Sequence, residues 1–178
     1  MPPATRGHAP RTPAPVRREQ LVRSAVDRFA ADGYQDVELR DNAADVGVTR
    51  NLIHHYFPGG KSELYLAAVR LACAELADAL DVSDEVPLDT KMPANIAGYL
   101  DQILAPAPAY VLYARATHSA DDDVRAAAAA TRSAIAAGVA RNHLGTDSPP
   151  AAVLAALVAY IAFAETAGEQ WRTSGLRD

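Results

Sequence analysis

The chain has 178 residues, one cysteine, 49% hydrophobic and 6% aromatic residues, and a formal charge of -5 at pH 7. That length holds one sizeable core, or a small module joined to a larger one, and a single cysteine excludes an internal disulfide framework. No run approaches the roughly 18 apolar residues that cross a bilayer, and no charged-then-apolar leader opens the chain, so a soluble cytoplasmic protein is expected.

Residues 1–16, MPPATRGHAPRTPAPV, hold five prolines and no acid, and are expected to form a disordered basic arm that includes Arg6 and Arg11 and runs up to Arg17 and Arg18. From Arg17, the positions Leu21, Val22, Ala25, Val26, Phe29 and Ala30 share one helical face, and Asp32-Gly33 supplies a stop, predicting a helix over 17–31. Leu39, Ala43 and Val46 form a second short periodic set broken at Gly47. Thr49 then stands where it can cap a third, carrying Leu52, Ile53 and Tyr56 and ended by Pro58-Gly59-Gly60. Two short helices across a turn make a helix-turn-helix.

The stretch HHYFPGGKS, residues 54–62, also invites other readings. Adjacent histidines on a helix point about 100° apart and chelate one ion poorly. A nucleotide-binding phosphate loop needs a glycine where His55 stands and a preceding strand. What remains is a helix start, with Gly60 as N-cap, Lys61 in the first turn and Glu63 favourable to the dipole; such a terminus suits a nucleic-acid phosphate. No metal site or cofactor is expected. No catalytic set is expected either, since Cys73 sits mid-helix without a basic activating neighbour.

A long fourth helix over 61–80 outgrows the head. Val82 to Pro93, with two prolines, reads as a linker loop, and further helices are expected near 94–105, 109–119, 121–143 and 149–173, with no strand or repeat. Residues 1–70 carry ten Arg or Lys against eight Asp or Glu, and the remainder seven against fourteen. A mildly basic head on an acidic body is the balance of a protein whose head alone meets a polyanion.

Over residues 17–70 the segment FAADGYQDVELRDNAADVGVTRNLIHHYFPGGKSELYLAAV resembles the DNA-binding head of the TetR/AcrR family of transcriptional regulators, while the rest agrees only in helix number and length. The resemblance implies an all-α fold: an N-terminal three-helix head over 17–62, joined by a long fourth helix to a ligand-binding and dimerisation body over 63–178. It implies a third helix that enters the major groove of double-stranded DNA. Thr49 would cap that helix and touch phosphate, and Arg50 and Asn51 would face base edges, where arginine forks onto guanine and asparagine onto adenine. His54 and His55 would follow the backbone, and Lys61 and Arg40 would meet phosphates. Three positions depart from the family pattern: Val37-Glu38 replaces a hydroxyl cap, Asn42 stands at a buried isoleucine position, and His54 replaces a tyrosine.

The same resemblance implies a homodimer, released from a palindromic operator by a small-molecule effector and acting as a repressor. For the dimer surface, Ala126 to Ala130, Ala134, Ala136, Ala137 and Gly138 make one small face, and Val153, Leu154, Leu157, Val158, Ile161 and Ala162 an apolar one. Cys73, Met92, Ile96, Tyr99, Leu100, Ile103, Tyr110, Tyr113, His118 and Phe163 are candidates to line the effector cavity. An all-helical ligand- or protein-binding dimer that has lost sequence-specific DNA binding is the alternative, prompted by Asn42 and the acidic body.

Overall fold

A computed structural model describes residues 13–81 and 87–174, and within them every element is helical: α1 Ala14–Asp36, α2 Leu39–Asp45, α3 Arg50–Tyr56, α4 Lys61–Leu80, α5 Leu88–Leu104, α6 Pro108–Ala116, α7 Asp122–Leu144 and α8 Ala151–Ser174. The fold is the all-α one expected, a helix-turn-helix head and a helical body.

Helix α1 begins three residues earlier than the proline count suggested, with Pro13 before it and a proline in its first turn. First-turn N–H groups have no intrahelical partner, so proline starts a helix there without loss. Residues 1–12, with Arg6 and Arg11, lie outside the described residues. Arg17 and Arg18, expected to belong to the arm's charge, instead fasten α1 to the head. The Arg17 Nη1 donates to the Val46 carbonyl at 3.2 Å, and the Arg18 guanidinium lies 4.9 Å from the centre of the Phe57 ring.

The turn between α2 and α3 explains itself through its carbonyls. Gly47, at φ 67°, takes the left-handed conformation; its N–H donates to Ala44 and the N–H of Val48 to Ala43, at 3.0 and 2.9 Å. These two bonds satisfy carbonyls that the end of α2 leaves open, and glycine alone adopts that φ without a Cβ penalty. The start of α2 has no comparable device, since Glu38 makes no side-chain cap, as the loss of a hydroxyl at this position implied.

The head closes on a core of Leu21, Ala25, Phe29, Ile53, Phe57 and Leu64, each 0% exposed, and the cluster continues along α4 through Ala68 and Ala72 to Leu112 and Tyr113 of α6. Burying a side chain of leucine or phenylalanine size stabilises by roughly 1.5–3 kcal/mol, so α4, shared by both ends, joins them into one core. Helix α4 contacts α1, α6 and α7. Its start is held by Glu63, whose carboxylate accepts from the Gly59 N–H at 2.7 Å.

Two expectations fail beyond α4. The linker is shorter than Val82–Pro93: α5 already begins at Leu88 and carries Pro93 inside it, while residues 82–86 lie outside the described residues. A proline in the second turn forfeits one backbone bond, a smaller loss than leaving the segment unpaired against α4 and α7. The expectation that no segment suits a bilayer also fails, because Ala151–Trp171 of α8 is long and apolar enough to cross a membrane by length and composition, and only 6% of it is buried. Its apolarity comes from the uncharged run over 151–164, alanines interspersed with Leu, Val, Ile, Tyr and Phe, which Glu165 ends. Helix α7 is capped by Asp121, which accepts from the N–H groups of Asp123 and Val124, and ends at Gly145. Its small face is divided: Ala128, Ala136 and Gly138 are buried within the chain, whereas Ala126, Ala129, Ala130 and Ala134 are exposed.

Candidate nucleic-acid interface and body groove

Helix α3 separates its residues by polarity. Ile53 and, just past its end, Phe57 are wholly buried, and Leu52 and Tyr56 are half-buried; Thr49, Arg50, Asn51, His54 and His55 are all exposed. With only seven residues, this helix is too short to be stable alone and is held by that apolar edge, so the opposite edge is rigidly presented. Thr49 occupies the N-cap position, but its hydroxyl makes no cap bond and is left free for another acceptor or donor. Arg40 is 71% exposed beside Glu38 and Asp41, at 4.0 and 3.6 Å. Acidic neighbours on both sides weaken it as a phosphate ligand.

Lys61 is more committed than the sequence suggested. Its Nζ donates to the Gln35 carbonyl at 2.9 Å and stands 4.9 Å from the centre of the Tyr34 ring. An ammonium carries three N–H groups, so two remain for a phosphate at the start of α4.

Asn42 is 0% exposed, as a residue at a buried isoleucine position should be, and has found partners: Nδ2 donates to the Leu21 carbonyl at 3.3 Å and to Ser24 Oγ at 3.0 Å. Ser24 in turn donates to Asp45 at 3.1 Å, and the Arg28 Nη2 donates to Asp45 Oδ1 at 2.7 Å. The Arg28 hydrogen bond holds the Asp45 carboxyl below the usual carboxylate range. This polar strip ties α1 to α2 across the departure.

In the body, a groove of about 890 Å³ lies between α6 and α8. Of the expected lining residues, Tyr110, Tyr113 and His118 meet there. Cys73 does not; it is 5% exposed on the core face of α4, where burial pushes its thiol up. Tyr99 is half-buried against the core, and Phe163 faces outward, 67% exposed. The side chains of Met92, Ile96, Leu100 and Ile103 lie outside what the structure describes. The groove also carries charged side chains that the candidate list lacked. Glu165 accepts from the Tyr113 hydroxyl at 2.5 Å and from Arg132 Nη2 at 2.5 Å, joining α6, α7 and α8. Burial and the Glu165 charge push the Tyr113 phenol well above its ordinary value. Arg115, Arg132 and Glu169 also line the groove and were missed. The available signal was an isolated arginine in the alanine run of α7 and an isolated glutamate in apolar α8.

A short helix fastened by its apolar edge, following a glycine turn and offering Arg50 and Asn51 outward, defines a helix-turn-helix protein. Residues 21–68 match the family described as bacterial regulatory proteins, tetR family. The HTH-type transcriptional regulator BetI of Brucella abortus is 39% identical over 69 residues, a match spanning 39% of this chain and about a third, 34%, of that protein's length. The regulator of the same name from Brucella canis is 30% identical over 81% of this chain and 88% of its own. A crystal structure of a tetR-family transcriptional regulator from Streptomyces coelicolor superposes with a TM-score of 0.75 at 25% identity, covering 90% of this chain and 72% of that one. The chain belongs to the TetR family, a family of regulators rather than of enzymes.

Proposed function

We propose that the protein is a cytoplasmic, ligand-responsive transcriptional repressor that binds a palindromic operator as a homodimer and leaves it when a small molecule occupies the body. The observation that carries this reading is the polarity of α3, with Ile53 at 0% exposure and Arg50, Asn51, His54 and His55 in solvent. In this reading residues 17–62 serve DNA and residues 63–178 serve the effector and the second subunit. One head covers about half an operator, so affinity requires two heads about 34–36 Å apart. The exposed apolar side of α8, with Tyr160 and Phe163 at 63% and 67% exposure, supports a second copy of the chain as its cover. Release follows if the effector prefers a conformation in which the heads are mis-spaced; only that difference in affinity shifts the equilibrium. The groove between α6 and α8 is the best-supported effector site.

The partners of the Asn42 amide nitrogen weaken the case for the alternative, an all-helical ligand- or protein-binding dimer that has lost sequence-specific DNA binding. Operator binding measured against salt and sequence tests the reading. Affinity should fall steeply with salt, Arg50→Ala should relax sequence preference at a cost of about 1–3 kcal/mol, and Lys61→Ala should weaken all sequences alike. Salt-insensitive binding, or indifference to both substitutions, would overturn it.

A further inference from the structure

Arg115 stands in the last turn of α6, lines the groove, and donates from Nη1 to the Phe29 carbonyl of α1 at 2.6 Å. Phe29 belongs to the last turn of α1 before the break at Gly33, where φ 82° and ψ 167° end the helical geometry. Carbonyls in such a turn lack intrahelical donors, and the helix dipole makes that end negative, so a guanidinium is held there twice over. No carboxylate forms an ion pair with Arg115 among the described residues, whereas Arg132 in the same groove is held by Glu165. A Cβ on Gly33 would lie 3.9 Å from the Arg115 Nη1, so the guanidinium sits directly against the break.

The short segment from Phe29 to Gln35 then reaches the other end of the head. Tyr34 stacks on Phe29 with ring centres 6.1 Å apart and meets Tyr65 of α4 at 4.9 Å. The Gln35 carbonyl holds Lys61 at the start of α4. One side chain of the groove therefore grips the helix end that opens this segment, while Lys61 keeps its own bond to Gln35 within the head.

We infer that Arg115 is a positioning residue for operator recognition. It sets the angle between head and body, and through it the separation of the two recognition helices, while each head keeps its own DNA contacts. This rests on the dimeric DNA-binding reading above. A groove occupant that shifts α6 acts on the heads through the same bond.

The test uses the full chain, as wild type, Arg115→Gln and Arg115→Lys. Fluorescence anisotropy is read on a single half-site, on the whole operator, and on an operator whose half-sites are moved apart by about two base pairs. Wild type should bind the whole operator best and discriminate against the widened one. Arg115→Gln should keep half-site affinity within about twofold, lose about tenfold on the whole operator, and no longer distinguish the two spacings. Arg115→Lys, which keeps one donor for the carbonyl, should recover most of the loss. Equal losses on half-site and whole operator would mean a merely structural role, and an unchanged whole-operator affinity would mean no role; either overturns the inference while leaving the repressor reading standing. Wild type that binds none of the duplexes specifically overturns both.

Discussion

Asn42 donates to Ser24 Oγ at 3.0 Å, while its own Oδ1, equally buried, meets no partner. Ser24 keeps Asp45 as an acceptor without it. The amide therefore contributes little that leucine, similarly branched, would forfeit, and it carries an unsatisfied acceptor. Asn42→Leu should be neutral or stabilising by up to about 1 kcal/mol, raising the melting temperature by no more than about 2–4 °C. Asn42→Asp, which buries a carboxylate facing the Leu21 carbonyl, should lower it clearly. Thermal unfolding at pH 7 with aspartate as stable as leucine would contradict this.

Asp45 gives the head an acid-sensitive contact. Its folded carboxyl is depressed, first through the hydrogen bond from Arg28, so the stability it contributes is present above the unfolded value and is lost as pH falls through the folded one, below about pH 4. The pair is partly exposed, so screening limits the effect to under about 1 kcal/mol. Urea unfolding of Asp45→Asn should show a smaller drop than wild type between about pH 5 and 3. Parallel curves would remove Asp45 from the acid response.

The Tyr113, Glu165 and Arg132 cluster should behave as one unit. Arg132 and Glu165 are 21% and 15% exposed, so Glu165→Ala strands a guanidinium and a phenol in a partly dry groove and should cost about 2 kcal/mol. Adding Arg132→Met to that variant should recover part of the loss, giving a coupling energy of about 1 kcal/mol in a double-mutant cycle. Strict additivity would show that the three helices are not tied there.

The outer side of α8 should be the subunit contact. Phe163→Glu places a like charge from each copy at a two-fold interface, so light scattering should fall from a dimer mass to the chain's 18.8 kDa while the melting profile is kept. A wild type already monomeric, or a variant still dimeric, would contradict it.

What the sequence made legible follows from where physics is local. The Gly47 turn, the Gly60-Lys61 helix start and the apolar edge that buries Ile53 depend on neighbours within one or two turns, and each was readable. The start of α1 was placed late because prolines were counted as breakers although first-turn positions tolerate them. Helix α5 was cut short for the same reason at Pro93. The ion pair of the groove was not legible because Arg132 and Glu165, 33 positions apart, acquire meaning only when α7 and α8 lie side by side. Phe163 was assigned to that groove, but helix phase alone does not say which side of an apolar helix meets its own chain.

The most direct test of the account is a nuclease footprint of the purified protein on the DNA upstream of its own gene, run beside the Arg50→Ala/Asn51→Ala variant. Two protected half-sites centred about 34–36 Å apart, lost in the variant although the variant remains folded, are the predicted result. Protection that ignores sequence, or that survives loss of both side chains, would contradict the claim that α3 turns its polar edge into the groove.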